Sequence, residues 1–181
     1  MKSESNADQV FDLNTLTTKE IELMNREIGI FLGWKVIVES NGGNDYWCSA
    51  KTPKNQSTAY AFSFGERFGI KTEKGARRRM WETLYGMVFN YHKKLDSLFE
   101  AVDKIETLTN GIEGMYGDGD IPLMVRIEGL EDRTHKCSII LNQHSKFMAV
   151  AVKREVAVFK AVYDFAKWYN KMKAEWNKDT Q

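Results

Sequence analysis

A chain of 181 residues is long enough to bury one sizeable core and too short for two independent ones, and a composition of 43% apolar and 28% charged residues belongs to a globular class. No apolar run approaches the roughly 18 residues that span a bilayer, the opening Met1-Lys2-Ser3-Glu4-Ser5-Asn6 lacks the apolar run of a secretory signal, and Cys48 and Cys137 have neither metal-ligand nor disulfide-framework spacing, so a cytoplasmic setting with two small buried thiols is expected. A sequence pI near 7.7 argues against a dedicated DNA-coating protein, whose whole surface is usually basic.

Residues 1–15 read as a polar arm with too few apolar groups to offset the entropy of ordering. A helix follows. Thr17 and Glu20 form a capping box, Leu16 and Ile21 can close a hydrophobic staple, Ile21, Met24, Ile28 and Phe31 recur every three or four residues, and Gly33 supplies a left-handed stop. Lys35 to Glu39 reads as a strand, the Asn-Gly-Gly-Asn-Asp run at 41–45 as its turn, and Tyr46 to Ala50 as the returning strand. Thr52 to Ser57 is a loop about Pro53, after which Tyr60, Phe62 and Phe64 alternate with small residues as on a strand with an aromatic face. Arg77 to Val88 keeps helical spacing through Met80, Leu84 and Met87 or Val88.

Lys93 to Thr109 predicts an amphipathic helix, with Leu95, Leu98, Phe99, Val102, Ile105 and Leu108 on one face and Asp96, Glu100, Asp103 and Glu106 mainly on the other. Three strands, Leu123 to Glu128, Lys136 to Leu141 and Phe147 to Val152, are joined closely enough for an antiparallel meander. Their centres are apolar without strict alternation, which predicts a sheet covered on both faces. Lys153 to Lys173 then carries two apolar stripes, one through Val156, Phe159, Val162 or Tyr163, Ala166 and Tyr169, the other through Val158, Ala161, Phe165, Trp168 and Met172. Such a helix must be buried on two sides, by the sheet and by either the first helix or a second subunit. The expected fold is α+β: an antiparallel sheet of three to five strands with helices covering both faces, in one domain over 16–176, with 177–181 a polar tail.

Several segments together carry a resemblance over about half of the chain. They are Asn25-Arg26-Glu27-Ile28 through Phe31-Leu32-Gly33-Trp34, then Tyr91-His92 leading into Leu95-Asp96-Ser97-Leu98 and Val102-Asp103-Lys104-Ile105-Glu106. Val125-Arg126-Ile127, Cys137-Ser138-Ile139 and the run from Ala161 to Asn170 complete the set. In that order they resemble small uncharacterised proteins of phages and prophages of Bacteroides-type gut bacteria, akin to the phage α-β-α sandwich domains. The resemblance implies an α-β-α sandwich-like fold and a setting in the bacterial host cytoplasm, with 46–90 an elaboration outside the shared pattern. It carries over no active site, and no cofactor is expected.

The charge is unevenly spread. Residues 71–94 hold seven bases against two acids (Glu73, Glu82), whereas 95–132 hold ten acids against two bases (Lys104, Arg126), and such opposed blocks can attract within one chain or between copies. Arg77-Arg78-Arg79, with Lys71, Lys74 and Trp81, is the set that invites a phosphate-bearing ligand, through guanidinium forks and a stacking surface. His135, Cys137 and His144 make a poor metal site for want of a fourth ligand, and Cys137 with His92 or His144 is a nucleophile pair only if base and oxyanion donor converge. The Gly114 to Asp120 run lacks the glycine and later oxygen ligands of a calcium loop, and Gly65, Gly69 and Gly75 lack the Gly-Lys-Ser/Thr of a phosphate loop. The leading expectation is a non-enzymatic, phage-type accessory protein that binds as a homo-oligomer. The alternative is a nucleotide or nucleic-acid binder using the basic segment, including one that sequesters a signalling nucleotide; an enzyme ranks third.

Overall fold

The computed structural model describes residues 9–54, 56–108, 123–141 and 145–179. Helix α1 (Thr18–Leu32) begins and ends where local chemistry requires. The Thr17 hydroxyl accepts the Glu20 amide at 3.3 Å while the Glu20 carboxylate takes the Thr17 amide at 2.8 Å, closing the capping box. Those bonds hold the Glu20 carboxyl below its usual range. At the other end Gly33, with φ 105°, turns its amide back to the carbonyls of Gly29 and Ile30, a conformation that a side chain would strain.

Strands β1 (Lys35–Ser40), β2 (Tyr46–Lys51) and β3 (Thr58–Phe64) form an antiparallel meander in that order. Val36 lies opposite Ala50 and Val38 opposite Cys48, which in turn faces Phe62, so one face of this sheet is apolar. Helix α2 (Glu73–Met87) packs against it with Ala76, Met80, Trp81 and Leu84 buried. Helix α3 (Leu95–Thr107) buries Leu98, Ala101, Val102 and Ile105 and leaves Phe99 exposed with the acids. A second meander, β4 (Leu123–Gly129), β5 (His135–Leu141) and β6 (Ser145–Ala151), is followed by the 26-residue helix α4 (Arg154–Asp179).

The two stripes of α4 have two different partners. One side lies on β5 and β6; the other lies on α1. Phe165 joins them, 5.6 Å from the Phe31 ring of α1 and 5.5 Å from the Phe147 ring of β6, both edge to face. Asn170 adds hydrogen bonds of 3.0 Å to the carbonyl and to the carboxylate of Glu27. The burial demand of the second stripe is therefore met within the chain, which removes the reason for expecting a subunit contact at that place.

The α+β class is the one expected, in a different layering. The strands divide between two three-stranded sheets, α2 packs on the first, α4 on the second, and α1 touches both helices, so the helical layer lies between the sheets instead of covering both faces of one. The outer faces explain the misleading pattern. Met124, Ile140 and Met148 point away from the helices yet remain partly or largely exposed, so apolar runs in β4 to β6 do not signify two buried faces. One contiguous hydrophobic cluster runs through both sheets and all four helices, and the segment 46–90, read as an elaboration, supplies β2, β3 and α2 to it.

Three outer strand edges are closed by hydrogen bonds, which blunts pairing with another chain. The Glu106 carboxylate of α3 accepts the Val125 amide of β4 at 3.4 Å, and Arg77 donates to the Val36 carbonyl of β1 at 2.7 Å. At β6 the Phe11 amide donates to the Val150 carbonyl at 2.7 Å beside a parallel Val10 bridge, so the end of the segment read as a free polar arm is anchored. Residues 1–8 of that arm lie outside the described residues, and α4 runs to Asp179, into the segment read as a tail.

Phe165→Ala is expected to lower the unfolding free energy by about 3–5 kcal/mol, as large-to-small changes at fully buried aromatic positions do, whereas Met124→Ala should cost under about 0.5 kcal/mol. Urea titration followed by circular dichroism distinguishes them; similar losses would contradict the layering.

Candidate binding surface on α2 and its groove with α1

Helix α2 starts a turn earlier than the spacing of Met80 and Leu84 suggests, because the Thr72 hydroxyl accepts the Gly75 amide at 3.1 Å and Glu73 sits in the first turn. That extra turn places Glu73 four residues before Arg77. Arg77 is consequently held from two sides, by the Glu73 carboxylate at 2.8 Å and by the Val36 carbonyl at 2.7 Å, and serves the edge of β1. Arg78 and Arg79 share Glu82, at 3.6 and 3.2 Å, and both remain exposed. Lys71 and Lys74 are exposed at the start of the helix, where the Lys71 carbonyl also accepts the Tyr46 hydroxyl at 3.4 Å.

Trp81 points the other way. Only 8% exposed, it packs 5.7 Å from the Phe89 ring and has the Arg26 guanidinium 5.7 Å from its own ring centre. Phe89 in turn lies 5.3 Å from Trp34 and against α1 at Gly29, where an added Cβ would come within 3.1 Å of the ring. Of the six residues singled out by sequence, Lys71, Lys74, Arg78 and Arg79 thus share the exposed surface, while Arg77 is half-exposed and tied down to Glu73 and the β1 edge, and Trp81 is buried. Among the described residues no ion pair joins this basic block to the acidic block that follows it.

Between α1 and α2 runs a cleft of about 500 Å³. Lys19, Leu23 and Arg26 line it from α1, spaced so that they share a helix face, and Arg78, Trp81 and Glu82 line it from α2 with the same periodicity. Arg26 makes no ion pair with any described residue, and its Nε is buried without a hydrogen-bond partner. Sequence reading passed over Arg26 because it lies on a core helix; its spacing from Lys19 and Leu23 is the signal that could have found it.

Beneath the cleft is a buried polar pair. Asn25 is fully buried, its Nδ2 donating to the Ile21 carbonyl at 2.7 Å and lying 3.1 Å from Nδ1 of His92, an arrangement satisfied by a neutral imidazole with its proton on Nε2. His92 stacks on Tyr85, and burial, reinforced by Lys93, holds its pKa below the usual value. The thiols are poor nucleophiles: burial pushes Cys137 up to about 12 and also raises Cys48. His144 and the Gly114 to Asp120 run lie outside the described residues, among which no group of three His, Cys, Asp or Glu side chains is placed to hold a metal. Among the same residues no helix is long and apolar enough to cross a membrane.

Fold and surface define the class: an α+β protein of two antiparallel meanders about a helical layer, with an exposed basic helix face and an adjoining cleft. No protein-family model matches the chain, and no curated protein matches it in sequence.

Two outcomes follow from this geometry. Arg77→Ala should destabilise the fold by about 1–2 kcal/mol through the lost bond to Val36, and Arg79→Ala should stay within about 0.5 kcal/mol, both read by chemical denaturation. Because the folded-state pKa of His92 lies below the 6.5 of a free imidazole, the unfolded chain takes up a proton that the folded chain resists. The contribution is complete above that value and lost as pH falls below it, so stability should decline as pH is lowered through about 6.5, less steeply in His92→Gln.

Proposed function

We propose that the protein is a non-enzymatic accessory protein of phage type, working in the bacterial host cytoplasm by binding through the exposed face of α2. The observation that carries this reading is that Lys71, Lys74, Arg78 and Arg79 stay exposed with only Glu82 paired among them, while among the described residues the acidic block of the same chain makes no ion pair with them. The partner then presents an acidic surface. A second copy does so through Asp96, Glu100 and Asp103 of α3, which flank the exposed Phe99, and that supports a homo-oligomer. Head-to-tail contacts of this kind close into rings or run on as filaments. A phosphate-bearing ligand is the second reading, favoured by the two exposed guanidinium groups on neighbouring positions; the buried Trp81 speaks against stacking of bases there.

Size-exclusion chromatography with light scattering, run at low and high salt with absorbance at 260 and 280 nm, tests both. An assembly larger than one chain that dissociates in high salt, and is lost in Arg78→Glu/Arg79→Glu, is the expected result. Excess absorbance at 260 nm that salt removes would favour the phosphate reading. A single-chain mass without bound cargo at every salt concentration would count against both.

A further inference from the structure

We infer that the cleft between α1 and α2, which adjoins the basic face of α2 and shares Arg78 with it, is a binding site for an oxyanion, a carboxylate or a phosphate monoester, carried on an apolar body, and that Arg26 grips it. Glu22, one turn before Arg26, is the natural helical partner for its charge, yet the two form no ion pair; the guanidinium lies over Trp81 instead. Its Nε is the one buried side-chain nitrogen or oxygen among the described residues left without a partner. Buried donors are almost always satisfied, so the missing acceptor marks a place that a ligand can fill. A small swing of the planar group off the indole would offer the Nε–H and an Nη–H together, the fork that matches two oxygens of one anion.

The surroundings fit such a ligand. Lys19 and Arg78 add positive charge at the rim, and Glu82 is already shared by Arg78 and Arg79. Leu23, 47% exposed, and the uncovered part of Trp81 supply an apolar wall, and about 500 Å³ is the size of a small-molecule pocket, far more than one water needs. Glu22 is the one lining carboxylate without a cation among the described residues, and it opposes the anion.

The test follows the Arg26 Nε–H resonance, and in every variant the backbone amides of the cleft residues Lys19, Leu23 and Trp81, by NMR during titration with phenyl phosphate, benzoate and inorganic phosphate. Saturable shifts are expected with at least one of the two ring-bearing probes, with inorganic phosphate about tenfold weaker because it buries no apolar surface. Arg26→Lys should weaken binding by about tenfold, since an ammonium cannot make the planar fork, and Glu22→Gln should tighten it, while Lys153→Gln on the exposed start of α4 should change nothing. The absence of a saturable shift with any probe overturns the proposal, as does unaltered affinity in a folded Arg26→Gln protein. If Arg26→Gln fails to fold, Glu22→Gln decides, and unchanged affinity there overturns it. Equal affinity for inorganic phosphate overturns the apolar body.

Discussion

The burial of α4 on two opposite sides is the constraint on which the rest of the structure depends. Its residues from Val156 to Ala166 include eight buried apolar side chains, more than one sheet can cover. The β4 to β6 meander takes one side and α1 the other, and Phe165 packs its ring against partners from both. Once α1 lies there, its remaining surface meets α2, which brings the first meander with it. The two sheets are therefore held at opposite ends of a helical layer by the circumference of one helix.

Charge serves the fold before it serves the surface. Arg77, from the basic block, satisfies a carbonyl on the open edge of β1, and Glu106, from the acidic block, satisfies an amide on the open edge of β4. Lys104 reaches from α3 to the Phe31 carbonyl at 2.6 Å, in the last turn of α1, where a positive charge complements the helix dipole; burial and the nearby Lys173 lower its pKa. Three residues that composition alone would assign to solvent thus tie elements together.

The cleft arises from the same packing. Gly29 lets Phe89 approach α1, Phe89 seats Trp81, and Trp81 holds the Arg26 guanidinium away from Glu22. The Asn25 and His92 pair on the inner side of α1 is kept by mutual hydrogen bonding, since either group buried alone would cost about 1–3 kcal/mol. A buried polar pair and an unpartnered Nε are consequently carried by consecutive residues of helix α1, Asn25 and Arg26.

Sequence by itself determined the elements whose signals are local. The Thr17 and Glu20 capping box, the Gly33 stop, the meander from Leu123 to Ala151 and the double stripe of α4 all follow from spacing along a few turns, where side-chain geometry is fixed by the helix or strand period. The candidate surface was legible in part: the exposed cations of α2 are where the charge pattern put them. Tertiary structure alone decided which partner covers the second stripe of α4, that two sheets flank the helices, that Arg77 bonds to the β1 edge while Trp81 is buried, and that Arg26 Nε finds no acceptor among the described residues. Each of these depends on groups distant in the chain, such as Val36 for Arg77 and Trp81 for Arg26, and no periodicity within one segment encodes which distant group will meet it.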